Sequence, residues 1–87
     1  MARFELATQD IVEAPAGGID AIFELGLNYC SGRDVDVDLV EAHKWFNIAA
    51  MRGDIEAARR RQEIASEMSA FEIAAALRRA RDWLSVH

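Results

Sequence analysis

Apolar side chains recur at helical spacing from residue 19 onward, and they predict a helix over residues 19–31 that carries two apolar faces. A helix with two such faces has more than one neighbour to contact. We expect one face to pack on a partner helix and the other to meet a further helix, another chain or a ligand. The first face holds Ile22, Leu25, Gly26 and Tyr29, and the second holds Phe23, Leu27 and Cys30.

The next segment predicts a second helix that ends near Arg52. Gly32 lies where a glycine ends a helix, and Asp38 with Glu41 fits a capping box that begins the next one. The connection between the two helices is short, which favours an antiparallel pair. The inner stripe of the second helix comprises Leu39, Ala42, Phe46, Ala49 and Ala50.

Two further helices follow after Gly53. Asp54 is placed to cap a helix over about residues 55–67, and Ser69 with Glu72 forms a second capping box. The apolar residues of the third helix are Ala58, Ile64, Ala65 and Met68, and those of the fourth are Ile73, Leu77, Ala80 and Leu84. The pattern predicts an all-α protein of four main helices in two consecutive antiparallel hairpins.

Residues 1–18 leave two alternatives open. Phe4, Ala7, Ile11 and Val12 fit one stripe of a short helix that ends at Pro15, and a frayed, disordered tail fits the same residues. The predicted organisation is therefore an N-terminal segment (1–18), a full helical hairpin (19–54) and a second, C-terminal hairpin (55–87).

Residues 19–54 resemble the Sel-one-like repeat, a helical-hairpin repeat related to tetratricopeptide repeats. One position departs from the family pattern, because Asp34 stands where a second glycine is usual, and aspartate tolerates left-handed backbone better than most residues. Residues 55–87 would form a degenerate, capping repeat. The matching residues are Ala21, Leu25, Gly26, Tyr29, Gly32, Asp38, Ala42, Trp45, Phe46, Ala49, Ala50 and Gly53.

The resemblance implies a short α-solenoid that acts as a protein adaptor or scaffold. Family members usually bind partners through the surface that the first helix of each hairpin lines. Carried over by position, the partner-binding residues in this sequence are Asp20, Phe23, Leu27, Cys30, Glu56, Arg59 and Glu63. Phe23, Leu27 and Cys30 are also the second apolar face of the first helix.

Charge and cysteine content narrow the function classes. The net charge is −5, with −7 in residues 1–43 and +2 in residues 44–87. This overall acidity argues against nucleic acid as the main ligand. Cys30 is the only cysteine, which excludes an internal disulfide and fits a reducing compartment. We expect a cytoplasmic protein without a signal peptide or membrane span.

Residue patterns for catalysis or metal binding are incomplete. His43 lacks local metal partners, and one cysteine with one histidine is not a zinc ligand set. Asp34, Asp36 and Asp38 begin like a calcium loop, but the required glycine and the terminal acid are replaced by other residues. We expect no enzyme activity, no cofactor and no metal.

The predicted function is a non-catalytic protein–protein interaction module that binds a protein partner, or a second copy of itself, through the apolar face of the first helix. The alternative is an accessory protein that binds nucleic acid or an acidic partner. That alternative depends on the arginine clusters Arg59–Arg61 and Arg78, Arg79 and Arg81.

Overall fold

The computed structural model describes residues 18–87, and all regular structure in this range is helical. Its four helices are α1 (Ile19–Ser31), α2 (Leu39–Met51), α3 (Ile55–Ala65) and α4 (Ala70–Val86). The prediction of an all-α chain with four main helices is confirmed for these residues. The prediction for the N-terminal segment, 1–18, concerns residues that lie outside the described part except for Gly18.

Each of α2, α3 and α4 begins at the predicted capping side chain. The predicted Asp38–Glu41 capping box forms only in part, because the Glu41 carboxylate pairs with Lys44 and Arg79 instead of the Asp38 N–H. The Asp38 carboxylate accepts a hydrogen bond from the Glu41 backbone N–H at 3.1 Å, and the Asp54 carboxylate accepts one from Ala57 at 3.1 Å. Ser69 and Glu72 form the reciprocal capping box in full. These caps satisfy backbone donors that have no partner within the helix.

The connection between α1 and α2 turns through two residues with left-handed backbone. Gly32 ends α1 with φ 81°, and its N–H donates to the Asn28 carbonyl at 2.8 Å. Asp34 follows with φ 68°, so aspartate takes the left-handed backbone at the position where the repeat family usually has glycine. The chain then returns to α1, because the Asp38 N–H donates to the Tyr29 carbonyl at 3.0 Å.

Helix α2 is the centre of the described structure. It packs against α1, α3 and α4, whereas α3 and α4 do not pack extensively against each other. Seven of its residues are buried: Ala42, His43, Trp45, Phe46, Asn47, Ile48 and Ala49. Helices α1 and α2 therefore have the predicted contact, whereas the predicted second hairpin, α3–α4, is not confirmed, because α3 and α4 pack mainly on α2.

Two details of the predicted core differ from the structure. Leu77 was expected inside, but its side chain is 44% exposed because Ala76 and Ala80 point at the core. In α3 the fully buried alanine is Ala57, one position before the predicted Ala58. Both helices are rotated slightly from the predicted orientation, and small residues occupy the contact with α2.

Candidate protein-interaction site

The predicted residues on α1 form what we call the α1 surface: Asp20, Phe23, Leu27 and Cys30. Asp20 is exposed, and the other three are half-buried at the edge of the core. The Phe23 ring packs on the Phe46 ring of α2, with 5.6 Å between centroids. The second apolar face thus contributes to the core and leaves part of each side chain open.

The predicted residues on α3 form an ion-pair cluster at its outer face. The Arg59 guanidinium contacts the carboxylates of both Glu56 and Glu63, and the Glu63 contact is 2.8 Å. The hydrogen bonds from Arg59, with further help from Arg60, lower the pKa of Glu56 below its usual value. Glu56 and Glu63 in turn raise the pKa of Arg59. At helical spacings of this kind, such pairs are mainly a feature of a solvated face.

The predicted partner-binding residues on α1 and those on α3 are not joined by polar contacts within residues 18–87. The hydrogen bonds and ion pairs of Glu56, Arg59 and Glu63 all stay on α3. The role of both sets in partner binding stays a prediction.

A second apolar surface, which the sequence did not reveal, lies between α2 and α4. This α2–α4 groove has a volume of about 520 Å³. Its largest exposed apolar side chains are Met51, 64% exposed, and Leu77, 44% exposed. Its lining residues are Asn47, Met51, Leu77, Arg81, Leu84 and Ser85. The available signal was Met51 at the end of α2, together with an apolar stripe on α4 wider than its contact with α2.

Arginines along α3 and α4 divide into engaged and free groups. Arg59 and Arg60 pair with glutamates of α3, and Arg61 donates to the Asn47 side chain at 2.5 Å. Arg79 reaches across to Glu41 of α2 at 2.8 Å. Within the described part of the chain, Arg78 and Arg81 form no ion pair, and Arg81 lines the groove.

A polar cluster is buried where α3 meets α2. His43 is 3% exposed and Asn47 is 8% exposed. The His43 Nδ1 atom has no hydrogen-bond partner among the described residues. Burial lowers the pKa of His43, and the Arg61 charge lowers it further. His43 is therefore neutral at pH 7 and serves as a core residue.

The described residues show few features of other kinds of site. In residues 18–87 no group of three or more histidine, cysteine or acidic side chains is arranged to hold a metal ion. Asp38 is used as a helix cap. An open depression of about 510 Å³, lined by Ile19, Asp20, Arg52, Gly53 and Asp54, adjoins the start of α1. None of the four described helices has the length and apolar character that crossing a bilayer requires.

Comparisons with known proteins give no relatives from which a role could be inferred. No family model, no curated protein and no solved structure matches the chain. The resemblance to Sel-one-like repeats stays a prediction that depends on the residues quoted above.

Proposed function

We propose that this chain is a non-catalytic protein-interaction module, an adaptor or scaffold of the Sel-one-like kind, that binds another protein chain through the α1 surface. The observation that carries the proposal is that the apolar side chains of this surface are only partly buried. Phe23, Leu27 and Cys30 pack on the core by one side only. Binding would remove their remaining apolar area from water, and Asp20 at the rim would select a partner with positive charge.

Large apolar side chains on the other helices also remain in solvent: Ile55 is 86% exposed, Phe71 81% and Met51 64%. They lie on three different helices, and scattered exposed residues of this kind do not mark a particular site. The arginines support the nucleic-acid alternative less, because Arg59, Arg60 and Arg79 are held by acids of this chain.

The proposal also includes a cytoplasmic location and a repeat-like ancestry. A single free thiol, Cys30, is compatible with a reducing compartment. The left-handed Asp34 supports the repeat-like connection, because it gives the backbone that the family reaches with glycine.

Protein capture with matched variants tests the proposal. The wild-type chain, Leu27→Glu and Val35→Glu are immobilised, and each is exposed to cell extract and to free chain at low and at high salt. Val35 is the control because it is exposed on the α1–α2 connection and gains the same charge. We expect the wild type and Val35→Glu to retain the same protein, and Leu27→Glu, folded by circular dichroism, to lose it. Equal retention by a folded Leu27→Glu variant would contradict the assignment of this surface. Retention only of nucleic acid, lost at high salt, would contradict the proposed class.

A further inference from the structure

Two surfaces of this chain carry complementary chemistry. The α1 surface combines half-buried apolar side chains with exposed acids, Asp20 and, one turn along, Glu24. The α2–α4 groove combines apolar side chains with exposed arginines, Arg81 in its lining and Arg78 nearby on the same helix. The two surfaces are therefore complementary: both have apolar area that an association would bury, and their charges have opposite signs.

The charge difference extends to the elements that carry these surfaces. Residues 19–38, which form α1 and the connection after it, hold five acids and one base, a net charge of −4. Helix α4 holds two acids and three arginines, a net charge of +1. Of those arginines, Arg79 is paired with Glu41, and the other two have no ion pair in the described part of the chain. Opposite charge on apolar surfaces steers association and sets its register.

We infer that the partner of the α1 surface is the α2–α4 groove of a second copy of this chain. This inference rests on the proposed function and names the partner. The two surfaces differ, so the contact is head-to-tail, and a pair of copies keeps one free α1 surface and one free groove for further copies. We expect an association that depends on the concentration of the chain.

Charge swapping tests the inference by sedimentation velocity from about 10 μM to about 1 mM chain, a range that covers weak complexes. We expect wild-type chains to associate as concentration rises. In the Asp20→Lys/Glu24→Lys variant both surfaces are basic, and in the Arg78→Glu/Arg81→Glu variant both are acidic. Each variant alone should therefore self-associate at least about tenfold more weakly than the wild type. An equimolar mixture of the two variants pairs opposite charges again and should recover association.

Two further variants distinguish an effect of the groove itself from an effect of net charge and from a loss of folding. Arg33→Glu makes the same charge change per residue at an exposed site outside the groove, and we expect it to associate at least as well as the wild type. Leu77→Ser removes apolar area from the groove at a 44%-exposed position, so the fold should persist while association weakens.

The outcomes distinguish the inference from the proposed function. A wild-type chain that stays monomeric at every concentration overturns the inference, as does a mixture of variants that fails to recover association. If a monomeric chain still captures a different protein in a Leu27-dependent manner, the proposed function survives and only the identity of the partner is wrong. If neither self-association nor capture occurs, both are wrong.

Discussion

Gly26 of α1 lies directly against the ring of Phe46 in α2. A Cβ added at Gly26 would lie 2.5 Å from two ring atoms of Phe46, closer than real Cβ atoms approach any neighbour. Phe46 is fully buried, so its ring has little room to move away. The absence of a side chain at Gly26 therefore allows α1 to approach α2 this closely.

Gly26→Ala should destabilise the protein by about 1–3 kcal/mol, because the new methyl group overpacks a dense core. Helix propensity alone predicts the opposite sign, since alanine favours a helix over glycine by about 1 kcal/mol. Urea unfolding measures the difference. Adding Phe46→Leu makes room for the methyl group, so the double variant should lose less than the sum of the two single changes. Full additivity would show that the two residues are not in tight contact.

Asp38→Ala should lower the free energy of unfolding by about 1 kcal/mol, because the Glu41 N–H loses its capping acceptor. Asp36→Ala is the matched control: it removes an acid from the same connection, at an exposed position that caps no helix. Chemical denaturation of both variants checks the prediction. An equal loss in both would mean that the acids act through charge and not through the cap.

His43 should make stability depend on pH below about 6.5, its ordinary pKa. Burial and Arg61 lower its pKa in the folded protein, so the unfolded chain binds a proton more readily. This difference is absent well above pH 6.5, and stability is lost as the pH falls from there toward the folded pKa. The same argument places any contribution of Glu56 lower, below its ordinary pKa of 4.5.

Unfolding measured at pH 7.5 and pH 5.5 in the wild type and in His43→Leu isolates the effect. Leucine has a similar volume and does not titrate, so the loss of stability between the two pH values should shrink. If His43→Leu keeps the full dependence, another group is responsible.

Trp83→Ala should loosen α4 more than the other helices. The Trp83 ring meets Trp45 edge-on, with 5.4 Å between centroids, and the Arg52 guanidinium lies over its ring. Because α4 packs mainly on α2, little else holds it. We expect a loss of roughly 2–3 kcal/mol, since Trp83 is only half-buried. The rate of amide hydrogen exchange should increase most in α4. A uniform increase in all four helices would contradict the conclusion that α4 is held mainly by its packing on α2.

Local signals in the sequence predicted the helices well, and they predicted the packing only in part. Helix α1 has the predicted bounds, and the caps at Asp38, Asp54 and Ser69 act on groups within a few residues, which sequence spacing determines. Leu77 shows where this reasoning ends. Its spacing fits the core stripe, but the rotation of α4 on α2 depends on where small residues allow close contact, and Ala76 and Ala80 decide it.

The role of the α1 surface in binding stays a prediction, and only its position on one helix could be predicted from the sequence. The α1 surface follows from spacing within one helix, and its partial exposure agrees with the second apolar face. The α2–α4 groove brings Met51 next to Leu77 and Arg81. Met51 is more than twenty residues away from both in the sequence, so no local pattern could predict the contact. The predicted joint surface of α1 and α3 depended on the repeat family, and nothing in the polar contacts of α3 joins it to α1.

A dilution series followed by amide nuclear magnetic resonance tests most directly whether the α1 surface binds protein. We predict that raising the concentration shifts the amide signals of residues 20–30 and of residues 77–85 together, with those of the outer face of α3 unchanged. The same signals should stay fixed in Leu27→Glu. If the spectrum does not change with concentration, and no captured protein perturbs residues 20–30, then this surface is merely the edge of the core.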